Sequence, residues 1–319
     1  MTRHHPTYQG RPLPRPDDEV VDQGLAFDVG TLLGRRRVLK AFGIGAATLG
    51  LAACGAGTST SASATTTVTT SDGEIPDETA GPYPGDGSNG PNVLSESGIV
   101  RSDIRSSFST GSAMAEGVPM TLELTISDLA DGGSAFAGVA VYVWHCDREG
   151  RYSLYSDGVE DENYLRGVQI ADADGKVRYT SIFPACYTGR WPHIHFEVYP
   201  DQASITDSAS AIATSQVALP KGVCDTVFAQ SGYEASVANL ADLSLDNDNV
   251  FGDDGGANQL ATVTGSVSDG YAVALPVRVD TRTTPAAGGG APGGGGPGGS
   301  GPRGGPGSGG TPPSGTPPR

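Results

Sequence analysis

The sequence predicts an all-β domain, a β-sandwich of mixed sheets with a few short helices, set between two segments that do not fold. Three observations carry this. Short runs that alternate apolar and polar residues recur through residues 72–282, separated by turn residues. Only 221–230 and 234–243 carry helical patterning. Gly and Pro fill 25 of the last 35 residues, a composition that cannot bury enough apolar surface to offset its ordering entropy.

The chain begins with a leader. Arg35-Arg36-Arg37-Val38-Leu39-Lys40 precedes a small apolar stretch over 41–53, too short to span a bilayer stably. The pattern resembles a twin-arginine export signal. It ends in Leu51-Ala52-Ala53-Cys54, similar to a bacterial lipobox, so 1–54 is read as a signal region with Cys54 the lipidation site. The protein is therefore expected to be exported, as a cell-envelope lipoprotein or an extracellular protein. Its only membrane contact is then the lipid at Cys54. Residues 55–71 are Ser/Thr/Ala-rich and read as a flexible tether. The tail, 283–319, reads as disordered.

The core of about 210 residues is long enough for one substantial hydrophobic interior. Met120-Thr-Leu-Glu-Leu-Thr-Ile-Ser127 alternates with period two, as a half-buried strand does. Val139-Ala-Val-Tyr-Val-Trp-His145 is continuously apolar, as a fully buried strand is. Asp172-Ala-Asp-Gly175 is a turn leading into Lys176-Val-Arg-Tyr-Thr-Ser-Ile182. His193-Ile-His-Phe-Glu-Val-Tyr199 alternates strictly. Gln259-Leu-Ala-Thr-Val-Thr-Gly265 and Tyr271-Ala-Val-Ala-Leu275 close the domain around Asp269-Gly270.

Charge excludes one class of partner. There are 20 Lys+Arg against 36 Asp+Glu, a net of −16. Removing 1–53 makes the chain more acidic, at −18. Nucleic-acid binding needs clustered cations, and an anionic surface is disfavoured on the same ground.

The chemistry concentrates in Phe183-Pro-Ala-Cys-Tyr-Thr-Gly-Arg-Trp-Pro-His-Ile-His-Phe196. His193 and His195 are two apart on a strand, so both imidazoles leave one face about 7 Å apart at the backbone. Such a pair suits zinc, copper or iron. Glu197 shares that face and is one candidate to complete the set. Tyr187 and Tyr152 are others. Phenol titrates near 10, so a phenolate ligand needs a strongly Lewis-acidic metal, and ferric iron qualifies. His145, next to a buried strand, is read as structural. Asp246-Asn-Asp-Asn249 with Asp253-Asp254 lacks EF-hand spacing and reads as a solvated loop.

Trp144 to Tyr152, Leu165-Arg-Gly-Val-Gln169, Asp172-Ala-Asp-Gly175 and the Phe183 to Phe196 block together resemble the intradiol ring-cleavage dioxygenases. Glu78-Thr-Ala-Gly-Pro-Tyr83 and Arg101-Ser-Asp-Ile104 extend the likeness, which is greatest to exported, single-chain, protocatechuate 3,4-dioxygenase-like members. The resemblance implies one non-haem Fe(III) held by Tyr152, Tyr187, His193 and His195. It implies that Tyr187 is displaced when substrate chelates the iron. Arg190 would stabilise negative charge developing on the substrate, and Gln216 matches a pocket glutamine. Thr79, Gly81, Pro82 and Tyr83 would line the substrate side. The reaction implied is cleavage of a catechol-type aromatic diol by O₂ to a cis,cis-muconate-type product. A dioxygenase-like ligand-binding module without catalysis and a zinc hydrolase built on the His pair are the alternatives.

Arg151 and Arg166 are read either as partners for a substrate carboxylate or as surface residues. Apart from Cys54, three cysteines remain. In an oxidising compartment one disulfide is expected. Cys186–Cys224 is the favoured pair, with Cys146 a buried thiol.

Overall fold

The computed structural model describes residues 73–285 and a two-rung antiparallel pair, Thr7–Tyr8 with Arg11–Pro12. Apart from that pair, the expected signal region with Cys54, the tether and the tail beyond 285 lie outside the described residues. Within the described residues the fold is β-rich, with two short α-helices.

Strand β1, Pro119–Asp128, turns Met120, Leu122, Leu124 and Ile126 inward on alternate positions. It is followed by the short β2, Ser134–Ala135, then β3, Ala140–Trp144, β4, Arg166–Ile170, and β5, Lys176–Ile182. β6 is His193–Tyr199 and β7 is Ala213–Ala218. Helices α1, Lys221–Phe228, and α2, Glu234–Ala241, precede β8, Thr262–Ser266, and β9, Gly270–Val279.

Two sheets result. In one, β1 pairs parallel with β9 and antiparallel with β5 and β2, while β8 pairs with β9. The other runs β4-β3-β6-β7, all antiparallel. Inward residues of both sheets share one hydrophobic cluster, including Leu122 and Leu124 of β1, Val141 and Val143 of β3, Phe196 of β6 and Val273 of β9. Each such side chain contributes roughly 1.5–3 kcal/mol on burial.

The second sheet is covered on its other face too. Ala140, Tyr142 and Trp144 of β3 join a separate cluster with Tyr152, Val168 and Tyr199. That explains why β3 reads as a continuous apolar run. The strictly alternating β6 is covered on both faces as well. All seven of its residues are buried. Irregular chain covers the side of Tyr142 and Trp144, with Ala80, Tyr83, Val93, Leu94 and Ile99 joining their cluster, while Glu78 N–H and Arg101 N–H pair with the edge-strand carbonyls of Thr214 and Val168.

The turn at 172–175 forms as expected, with the Asp172 carboxylate accepting from the N–H groups of Asp174 and Lys176. Gly175 has φ +74°, and a Cβ there would lie 2.2 Å from the Ile126 carbonyl oxygen, so no other residue fits. Three strands carried no clear alternation: β2 has two residues, β4 holds a glycine, and β7 is buried along most of its length despite its Thr, Ser and Gln.

Cys146, Cys186 and Cys224 are free, buried thiols, so the expected Cys186–Cys224 bridge is not formed. Cys186 Sγ faces the Arg190 carbonyl at 3.5 Å, and Cys224 Sγ faces the Leu219 carbonyl at 3.8 Å. Among the described residues no helix is long and apolar enough to cross a membrane.

Candidate metal centre

β6 sets the geometry. Because side chains alternate across a strand, His193 and His195 leave the same face. Their Nε2 atoms approach to 3.1 Å. The turn before β6 brings Tyr187 beside them, its hydroxyl 3.2 Å from His193 Nε2. Tyr152, delivered by the loop after β3, places its hydroxyl 3.4 Å from that of Tyr187. Four side chains separated by up to 43 positions thus converge in one unbroken row.

The supports are specific. The Trp191 carbonyl lies 2.5 Å from His193 Nδ1 and can only accept, so Nδ1 carries the proton and Nε2 presents a lone pair. Trp144, paired with His195 in register, stacks on its imidazole with centroids 4.8 Å apart and planes 8° from parallel. Gly81, at φ +76°, approaches so closely that a Cβ would lie 3.2 Å from His195 Cε1. Tyr83 packs its ring 5.0 Å from that of Tyr152. Thr79 contributes its carbonyl, which accepts from Gln216 Nε2 at 3.0 Å. The Pro82 carbonyl accepts from Asn89.

Electrostatics suit a cation. Burial, with Arg190 nearby, pushes His193 down to about 3, and burial with His193 beside it holds His195 well below its ordinary value. Both imidazoles are therefore neutral electron-pair donors at pH 7. Burial raises the Tyr187 phenol to about 12 and lifts Tyr152 well above its usual range, while the Arg190 charge pulls both down. Neither phenol ionises at neutral pH without further positive charge. The buried Nδ1 of His195 has no hydrogen-bond partner. If that nitrogen carries the proton, the two Nε2 lone pairs face each other across 3.1 Å. A cation shared by both Nε2 atoms relieves that conflict, so the donor set fits a Lewis-acidic metal.

Arg190 and Gln216 meet beside the row. Arg190 Nη2 donates to Gln216 Oε1 at 2.6 Å, and Gln216 is the register partner of His195. Arg190 also pairs with Asp248, Nε to Oδ2 at 3.0 Å. Burial alone would raise the Asp248 carboxyl, but the Arg190 charge and the N–H groups of Trp191 and Phe251 more than offset it and hold it low. Asp248 is 2% exposed, which overturns the solvated-loop reading at that position. Nothing local marks it, since its partner lies 58 residues earlier.

Other candidates fall elsewhere. Glu197 accepts from the Tyr199 hydroxyl at 2.7 Å, and burial with Asp86 nearby raises its carboxyl to about 8. Arg151 pairs with Asp147 and Glu149. Arg166 is neither at the surface nor available to a substrate. It is 1% exposed and donates to Ser153, Tyr83, Pro84 and Tyr142. His145 is structural, 2.7 Å from Ser181 Oγ. Among the described residues no group of three or more His, Cys, Asp and Glu gathers as a metal site, so the row of two phenols and two imidazoles stands apart from the commoner donor sets.

Comparison with known proteins covers this region. A family model described as "Dioxygenase" matches residues 90–203, which include Tyr152, Tyr187, Arg190, His193 and His195. Chlorocatechol 1,2-dioxygenase of Rhodococcus opacus is 29% identical over 91 residues, covering 25% of this chain and 35% of that protein. Chlorocatechol 1,2-dioxygenase of Pseudomonas sp. (strain P51) is 33% identical over 89 residues, covering 22% and 35% respectively. The match thus spans about a third of the length of these relatives. An intradiol ring-cleavage dioxygenase from Tetranychus urticae shares the fold, with a TM-score of 0.52 and 21% identity over 66% of this chain and 96% of that one.

Proposed function

We propose that this core belongs to the intradiol ring-cleavage dioxygenase superfamily, and that the protein cleaves a catechol-type aromatic diol with O₂ at a non-haem ferric centre, from its similarity to a dioxygenase family model and to two chlorocatechol 1,2-dioxygenases. The product is a cis,cis-muconate-type diacid carrying both oxygen atoms. The observation that supports this most is the row Tyr152, Tyr187, His193, His195, with successive contacts of 3.4, 3.2 and 3.1 Å.

Tyr152, Tyr187, His193 and His195 are the residues that would hold the metal. Ferric iron there would supply the Lewis acidity that keeps the phenols ionised and draws electron density from a chelated diol, opening its ring to O₂.

The protein's own groups divide the remaining work. Tyr152 is 2% exposed and fixed. Tyr187 is half-buried beside the exposed Thr188 and Gly189, and its phenol would be the one that leaves and takes a proton from the diol, as the family resemblance implies. The Trp191 carbonyl and the Trp144 ring hold the two imidazoles in orientation. The bare backbone of Gly81 packs directly against His195, where even a Cβ would lie 3.2 Å from Cε1. Arg190 directs its charge toward both phenols and stabilises negative charge on the substrate as the ring opens.

Visible spectroscopy on purified, iron-loaded protein tests the reading. An intense tyrosinate charge-transfer band that shifts on adding catechol, followed by O₂ uptake and a muconate-type product, supports it. A colourless zinc protein, or a band that catechol does not move, sinks it. The leader proposal is separate: export with a lipid on Cys54 predicts acyl labelling that Cys54→Ser abolishes.

A further inference from the structure

We propose that Asp248 is the positioning residue for Arg190 in ring cleavage, an assignment that rests on the functional reading above. Its side chain is wholly buried against a guanidinium that is 12% exposed. Oδ2 accepts from Arg190 Nε at 3.0 Å and from the Trp191 N–H at 2.7 Å. Oδ1 accepts from the N–H groups of Val250 at 2.8 Å and Phe251 at 3.0 Å, with Arg190 Nη2 at 3.5 Å. One carboxylate therefore ties the 248–251 turn to the stretch that carries Arg190 and leads into β6.

The arrangement constrains the guanidinium from two sides. Asp248 holds Nε, and Gln216 holds Nη2 from the strand beside His195. A long, flexible side chain held at both nitrogens keeps its charge aimed at the phenol row without reorganising when charge develops there. The carboxylate is hard to replace. Both of its oxygens face N–H donors, so an asparagine in either orientation would set its NH₂ group against one. Asn also lacks the charge that pairs with Arg190.

A double-mutant cycle tests the assignment. Iron-loaded wild type, Asp248→Asn, Arg190→Met and the double variant are compared for kcat, KM, iron content and the tyrosinate band with catechol as substrate. Asp248→Asn is expected to keep iron and band while kcat falls about 10- to 100-fold, with KM changed far less. In the Arg190→Met background the same change should alter kcat by no more than about twofold, because the group it positions is gone. An undiminished loss in that background, or loss of iron and band in Asp248→Asn alone, overturns the assignment. If Asp248→Asn does not fold, Asp248→Glu, which keeps the charge but displaces it, is read through the same cycle against the same outcomes. Failure of the wild type to cleave catechols sinks the functional reading itself, whereas an active wild type without coupling sinks only the role of Asp248.

Discussion

The indole of Trp144 lies flat on the imidazole of His195, centroids 4.8 Å apart and planes 8° from parallel. The two residues are register partners on β3 and β6, and Tyr142 also stacks on the same indole at 4.9 Å. The His195 ring is thus clamped by a strand neighbour, while its Nδ1 has no hydrogen-bond partner. Replacing Trp144 by Leu should cost about 2–4 kcal/mol of stability and weaken iron binding by roughly tenfold. Urea denaturation and iron titration measure the two effects separately.

The two tyrosines should respond differently to loss of their hydroxyls. Tyr152 is buried and Tyr187 half-buried. Tyr187→Phe is expected to change the resting spectrum while the catechol complex retains a band close to that of the wild type. Tyr152→Phe should alter both spectra and reduce ring cleavage by at least about 100-fold. Matching spectra for the two variants would show that neither phenol leaves on its own.

Glu78 makes stability depend on pH in a defined direction. Burial, reinforced by Asp253, raises its carboxyl from 4.5 to about 8. Between those values the folded chain holds a proton that the unfolded chain releases. Stability from this group is therefore fully present below pH 4.5 and falls as pH rises through about 8. Glu78→Gln should flatten that slope and raise stability at pH 8.5, read by urea denaturation across a pH series.

Arg166 tests the packing behind the site. Its guanidinium donates to the carbonyls of Tyr83, Pro84 and Ser153 and to two hydroxyls. Arg166→Met leaves several buried acceptors unpaired and should destabilise the fold by at least about 3 kcal/mol. Lys should not rescue it, since an ammonium cannot reproduce the fork. Chemical denaturation of both variants checks this.

The site was partly legible in the linear chain. His193 and His195 on one strand follow from period two alone, and the turn at Gly175 follows from its residue types. Tyr152 and Tyr187 stood out through their flanking blocks rather than through any local periodicity. Asp248 carried no such mark, because its meaning comes from Arg190 on a distant loop. The Cys186–Cys224 expectation failed for a related reason: composition suggests a bridge, but side-chain direction decides it, and the two thiols face different carbonyls.

What the sequence determined by itself was local: where strands and helices form, which residues share a strand face, and where charge and Gly/Pro concentrate. Backbone periodicity and turn chemistry act over a few residues, so they are written in order along the chain. Tertiary structure alone decided that the polar face of β6 is buried, that Arg166 is spent on the Tyr83–Pro84 segment, and that Asp248 fastens Arg190. Those outcomes depend on which distant segments pack together. A buried polar group must find its partners wherever the fold places them.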